Sequence, residues 1–138
     1  MSSGQGGQGP LRTLLPYDCW ALLESAHIAR IAWAGAQGVA LVPVNYTVAD
    51  GSLWFRTHPD SALGRECGGS RVVVEVDDSD PANHTGWSVL VVGTAELVDA
   101  SDVPELVDLQ VWPAGDRTLF VRVAPETVSG RRLFGNGR

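Results

Sequence analysis

Val39-Ala40-Leu41-Val42-Pro43-Val44-Asn45-Tyr46-Thr47-Val48-Ala49-Asp50-Gly51-Ser52-Leu53-Trp54-Phe55-Arg56-Thr57 decides the reading of the fold. It divides into two β-rich runs, Val39 to Val48 and Leu53 to Thr57. Ala49-Asp50-Gly51-Ser52 joins them, with the Asp-Gly pair that favours a tight hairpin. Pro43 has no N–H to give to a ladder, so the first run should be an edge strand or carry a bulge. Immediately downstream, His58-Pro59-Asp60-Ser61 reads as a loop that opens a short helix, from about Asp60 to Glu66. Gly68-Gly69 ends that helix.

Outward from this hairpin the pattern repeats. Leu14 to Ala26 reads as a first helix, with Leu14, Leu15, Trp20, Leu22 and Leu23 on an apolar face and Pro16 in its first turn. Ile28 to Ala34 is a strand, followed by a turn at Gly35-Ala36-Gln37-Gly38. Arg71 to Asp77 is another, ending in a turn at Asp78-Ser79-Asp80-Pro81. Gly86 to Val98 is a long strand bent near Gly93. A helix is expected over Ser101 to Val107, and strands over Thr118 to Val123 and Thr127 to Leu133. Six or seven strands with only small helices indicate a closed or nearly closed barrel. We expect a flexible tail over residues 1–12 and one domain over residues 13–134.

Composition limits the function. The chain has 138 residues, enough for one domain, and 44% of them are hydrophobic. The formal net charge is −6 and no basic stripe runs along the chain, which argues against nucleic acid and anionic membrane as partners. No apolar run approaches the length of a membrane helix, and the Gly, Gln and Ser of the N-terminus are no secretory signal. A cytoplasmic location and free thiols at Cys19 and Cys67 are therefore expected. All ten basic residues are arginine. Without lysine there is no Schiff-base nucleophile and no P-loop. An anion would be held by Arg, hydroxyls or backbone N–H groups, and the planar guanidinium suits phosphate.

Two stretches carry candidate chemistry. Arg56 and Thr57 end a strand just before a helix start, where free N–H groups and the helix dipole favour phosphate, and Ser61 could complete the site. The same spacing fits a solvated Arg56 and a Ser61 that only caps the helix. Pro43, Val44 and Asn45 lie on the neighbouring strand, where exposed backbone could meet the polar edge of a flat ring. A plain edge strand accounts for them equally. Trp87 and Ser88 follow Gly86, and an indole can flank an aromatic cofactor. Trp33, Trp54, Trp87 and Trp112 are also natural core or interface residues. Asp77, Asp78 and Asp80 lack the rest of a calcium loop, and His27, His58 and His84 lack zinc spacing, so no metal is assigned. No nucleophile elbow is present, and no catalytic acid or base can be named.

Taken in order, the residues resemble a known family. They are Asp18-Cys19-Trp20-x-Leu22-Leu23, Ile28-Ala29-Arg30-Ile31-Ala32, Val42-Pro43-Val44-Asn45-Tyr46, Phe55-Arg56-Thr57, Val74-Glu75-Val76-Asp77-Asp78, Gly86-Trp87-Ser88-Val89 and Gly130-Arg131-Arg132. The run is similar to the pyridoxamine 5′-phosphate oxidase-like flavin-binding split barrels, in their small actinobacterial-type branch. The resemblance spans about Leu14 to Leu133. It implies a homodimer with two cofactor sites at the subunit interface and FMN as the usual cofactor. Some relatives use a deazaflavin and a few bind haem.

By position, the resemblance puts Arg56 and Thr57 on the phosphate and Pro43, Val44 and Asn45 along the flavin ring. It puts Trp87 and Ser88 across the dimer interface. Relatives typically carry Gly-Thr-Lys where this chain has Asp60-Ser61-Ala62. Ser61 can still donate, and Arg65, one helical turn on, is expected to supply the missing charge from the same face. The expected function is an FMN-dependent oxidoreductase acting on a small organic substrate. The alternatives are a deazaflavin-dependent reductase, or a non-catalytic protein that binds or sequesters a flavin or haem.

Overall fold

The computed structural model describes residues 10–109 and 117–135, so Trp112 and most of the expected tail lie outside the described residues. The described elements are β1 (Leu11–Thr13), α1 (Pro16–Ser25), β2 (Ile28–Gly35), β3 (Gly38–Ala49), β4 (Ser52–Thr57), α2 (Ala62–Glu66), β5 (Arg71–Asp80), β6 (Thr85–Asp99) and β7 (Leu119–Leu133). Every pairing is antiparallel. The order is β1-β7-β4-β3-β2-β5-β6, and β6 pairs again with β7, so six strands close a ring with β1 added outside it. This is a mainly β split barrel.

The hairpin that decided the reading forms as expected. Asp50 and Gly51 have φ of 53° and 69°, the paired positive values of a type I′ turn, whose twist matches the flanking strands. Its register runs from Ala49↔Ser52 to Tyr46↔Phe55 and stops there. Alternation then fills the barrel. Ile31, Tyr46, Leu53, Phe55, Val74, Val76, Val89, Val91, Val121 and Val123 are buried, and Cys19 and Leu23 of α1 join them. Each fully buried aliphatic or aromatic side chain contributes roughly 1.5–3 kcal/mol. Tyr46 Oη donates to the Leu23 carbonyl at 2.6 Å, which ties α1 to β3 while satisfying a buried hydroxyl.

Several boundaries differ from expectation, each for a physical reason. β1 begins at Leu11, inside the expected tail, because Leu11 to Thr13 pair with Leu133 to Arg131. Asp78, Ser79 and Asp80 are strand, paired with Trp87, Gly86 and Thr85. The turn starts at Pro81 and is capped by Asp80, whose carboxylate accepts from Ala82 N–H and from Asn83. The helix expected over Ser101 to Val107 is only a 3₁₀ turn, Ala100–Asp102, because Pro104 cannot continue a helix. The two expected C-terminal strands are one. β7 absorbs Pro125 at a bulge where Val92↔Thr127 gives way to Gly93↔Pro125, which leaves Glu126 unpaired in the ladder. Glu126 instead accepts from Arg71 Nε and Thr94 Oγ1, both at 3.0 Å. A Cβ on Gly93 would run into the Ala124 carbonyl, so the bend needs glycine there.

Candidate functional site

The site is built by the failure of β3 and β4 to stay together. Continuing their register would set Asn45 opposite Arg56, but the ladder ends one pair earlier, at Tyr46↔Phe55. Beyond that point β3 follows β2, with Ile28↔Asn45, Ala29↔Val44 and Arg30↔Pro43. β4 follows β7, with Arg56↔Phe120 and Thr57↔Leu119. Pro43 thus stands on a free strand edge, as a residue without an N–H should. The register through it is continuous, so no bulge is involved.

A cavity of about 400 Å³ opens in the gap, within the range of small-molecule sites. Ile28, Val42, Pro43, Val44 and Leu63 give it apolar wall; Asn45, Arg56, Thr57, Ser61 and Arg117 give it polar groups. Six residues singled out from sequence, Pro43, Val44, Asn45, Arg56, Thr57 and Ser61, therefore share one cavity. Arg117 was not foreseen. It belongs to no motif and lies 61 positions from Arg56, so only the β4–β7 pairing could reveal it.

Arg56 is held on two sides. Its Nε donates to the Arg117 carbonyl at 2.9 Å, and its guanidinium lies 5.1 Å from the centre of the Phe120 ring. Such stacking fixes the plane of the fork and leaves both terminal nitrogens to donate. Ser61 Oγ donates to the His58 carbonyl at 2.7 Å and accepts from Gly64 N–H at 3.0 Å. With its single proton spent on His58, it receives its 2.8 Å bond from Thr57 Oγ1. Ser61 therefore caps α2 and lines the cavity at once, which joins the two readings that the sequence left open. α2 has five residues, so its dipole adds little; the side chains carry the polarity of the site.

Three candidates lie elsewhere. Arg65 Nη1 donates to the Asp60 carbonyl at 2.9 Å, and Arg65 does not line the cavity. Asp60, its carboxylate 89% exposed, is also not among the described residues that line the cavity. Trp87 and Ser88 line a separate recess with Asp77, Asp78 and Arg131. Trp33 and Trp54 are core residues, with indoles bonded to Glu66 Oε1 and the Ala49 carbonyl.

The other titratable groups have clear settings. Arg30 Nη1 bridges Glu75 Oε1 at 3.0 Å and Asp77 Oδ1 at 3.5 Å on the outer wall. Burial, then the neighbouring Asp77, push Glu75 up to about 7, while Arg30 pulls it back. Cys19 and Cys67 are free and buried. Burial raises both thiols, Cys67 to about 11, so neither is a ready nucleophile. Among the described residues, no group of three or more His, Cys, Asp or Glu side chains is placed to hold a metal. No described helix is long and apolar enough to cross a membrane.

Known proteins resemble this chain in sequence or in structure. The uncharacterized protein Rv0080 of Mycobacterium tuberculosis is 35% identical over 128 residues, covering 88% of this chain and 84% of its own. The FAD binding protein of Mycobacterium smegmatis superposes with a TM-score of 0.70 at 28% identity, over 89% of this chain and 98% of its own. A Corynebacterium glutamicum protein, described as a candidate pyridoxamine 5′-phosphate oxidase, gives 0.74 at 25% identity, over 94% and 98%. The family described as pyridoxamine 5′-phosphate oxidase matches residues 16–132. With most of the chain matched and the split barrel in place, this protein belongs to the pyridoxamine 5′-phosphate oxidase-like family.

Proposed function

We propose that the chain binds a flavin, FMN in the first instance, in the β3–β4 cavity and works as a homodimeric oxidoreductase on a small organic substrate. The observation that carries this reading is the cavity's polarity. Arg56 offers its terminal nitrogens to a phosphate at an end of the cavity that Thr57, Ser61 and Arg117 also line, while Ile28, Val42, Pro43 and Val44 offer an apolar wall beside an open strand edge. A flavin mononucleotide has the same character, a flat ring with polar edges joined to a dianion. The residues present therefore fit the group. The FAD bound by the M. smegmatis relative supports a flavin of some kind.

When bound, the flavin supplies the electron and hydride chemistry. The protein binds and orients it. Arg56, held by the Arg117 carbonyl and Phe120, meets the phosphate without first having to be ordered. The β3 edge at Pro43 to Asn45 would hold the ring, and Val42 and Val44 would supply apolar wall that excludes water beside it. Arg65 in this reading serves the Asp60 loop rather than the phosphate.

The dimer is supported by an apolar outer wall. Val39 and Leu41 are 88% and 62% exposed, and Val73 and Leu90 are also open. Leu41 pairs with Ala32, Ala32 with Val73, and Val73 with Val92, so these side chains lie on neighbouring strands. A patch of this kind suits a second copy. Trp87 and Ser88 would then serve the partner's cofactor.

The test is a titration. Adding protein to FMN should quench flavin fluorescence and shift its absorbance, with NADPH or NADH then bleaching the bound flavin. No change with FMN or FAD at tens of micromolar protein would end the flavin reading. Binding without reduction by any nicotinamide donor would favour a sequestering protein. Tighter binding of a deazaflavin in a parallel titration would replace FMN by that cofactor, and a Soret band on adding haemin would point to haem.

A further inference from the structure

We propose that the groove where α1 meets the paired ends of β1 and β7 is a second ligand site, one that takes a carboxylate joined to an apolar tail. β7 explains how the groove arises. Its side chains alternate between two faces, and Val128 and Gly130 still face the core. A Cβ on Gly130 would stand 2.8 Å from Cys19 Sγ and 3.1 Å from Leu14 Cδ1, so α1 sits directly against β7 there. The next two positions on that face, Arg132 and Phe134, lie beyond this contact. A groove of about 420 Å³ opens among them, within the range of small-molecule sites. Leu15, Leu22 and Phe134 line its apolar side; Arg12, Arg132 and Asp18 line its polar side. None of the residues that line it also lines the β3–β4 cavity. Arg131, which lines the Trp87 recess, projects from the opposite face of β7.

Charge indicates what the groove takes. Arg12 and Arg132 are direct partners across the β1–β7 ladder. Their Cβ atoms therefore lie about 5 Å apart on one face, where like charges oppose each other. Among the described residues neither guanidinium makes an ion pair. Arg12 lies 5.7 Å from the centre of the Phe134 ring, a contact that sets its plane and leaves its N–H edge to donate. Asp18 lines the same groove without pairing with either arginine. Two arginines less one aspartate leave one positive charge, which a single carboxylate neutralises. Bridging the two forks, that carboxylate would also relieve the repulsion between them.

The apolar side indicates what the carboxylate carries. Leu15 is 69% exposed and Phe134 42%, yet both line a concave surface beside the cations. An aliphatic tail lying along them removes this surface from water. Asp18 then sets selectivity, because it opposes a dianion more strongly than a monoanion. The site stands apart from the flavin reading, so both ligands can be held at once.

The experiment titrates the full chain with decanoate by calorimetry, with decanol, decylamine and acetate alongside, in wild type, Arg12→Gln, Arg132→Gln and Asp18→Asn. In wild type decanoate should bind at least tenfold more tightly than any of the other three and should raise the melting temperature. Each arginine variant should lose about tenfold or more in decanoate affinity, as expected for loss of hydrogen bonds to a charged group, and bring decanoate level with decanol. Asp18→Asn should strengthen decanoate binding, a gain that a loss of packing does not produce. Saturating FMN should leave decanoate affinity within twofold. Equal binding of decanoate and decanol in wild type, or an unchanged decanoate affinity in both arginine variants, would overturn the site. So would displacement of decanoate by FMN, which would put the tail in the β3–β4 cavity. Binding to phosphatidylglycerol vesicles without binding of decanoate would give this face to a membrane and overturn the proposal as well.

Discussion

β5 and β6 pair without a break from Arg71↔Thr94 to Asp80↔Thr85, whereas β3 and β4 pair only from Tyr46↔Phe55 to Ala49↔Ser52. Both pairs are hairpins with tight ends, and both place apolar residues in the core. In the long ladder the two strands stay paired along the whole length of β5, and the inward side chains Val72, Val74, Val76, Val89 and Val91 are buried. In the short one the strands part after four pairs, and a cavity with polar side chains opens in the gap. The difference teaches that the recess comes from where pairing stops. Residues just inside the stop hold the barrel, and residues just beyond it line the cavity.

Phe55 and Arg56, adjacent in sequence, give the sharpest way to break that comparison. Phe55→Ala empties a site that is 1% exposed and should cost about 3–5 kcal/mol of stability in a denaturant titration. A loss below about 1 kcal/mol would mean that the last pair before the gap is not structural. Gly93→Ala attacks the long ladder instead. Its Cβ meets the Ala124 backbone, so the bulge must shift, with a loss of about 1–3 kcal/mol in the same measurement.

Arg56→Ala tests the open side. It should leave the fold standing and weaken FMN binding by about 1.5–3 kcal/mol, roughly 10- to 100-fold, as expected for loss of hydrogen bonds to a charged group. Equal loss of riboflavin binding would place Arg56 away from the phosphate.

The smallest effect concerns pH on the closed wall. Glu75 holds its proton more tightly in the folded chain than its ordinary value of 4.5 allows, up to about 7. The folded state is therefore favoured below the lower value, and this contribution is lost as pH rises through the higher one. Melting temperature should fall between pH 5 and pH 8, and Glu75→Gln should flatten that fall. Parallel profiles for the two proteins would remove Glu75 from the account.

What could be read from sequence followed the range of the interactions. Asp50-Gly51 announced its turn because the signal and the structure occupy the same two residues. The strand runs of β2, β3 and β4 were equally local, since β-branched and aromatic residues between turn signals lie within each run. Pro125 misled because a proline suggests a strand break, yet a bulge opposite Gly93 absorbs it. Pro104 misled in the other direction, since helix-forming neighbours outweighed it in the reading. Arg65 was placed by helical spacing, which ignores that its long side chain folds back onto the Asp60 carbonyl. Arg117 could not be read at all, because its position depends on which strand lies beside β4, and no local pattern records that.

That neighbour has a consequence for when the protein becomes competent. β4 lies between β3 and β7, and Arg56 pairs with, stacks on or bonds to residues 117 to 120. The ring also closes only when β7 enters between β4 and β6. Contacts so distant along the chain form late, after the loop-closure entropy has been met. On the ribosome, the hairpin carrying Arg56 emerges long before the strand that orders it. On the flavin reading proposed above, a nascent chain is thus unable to capture its anionic ligand in this pocket until β7 has been made, and ligand capture follows ring closure rather than preceding it.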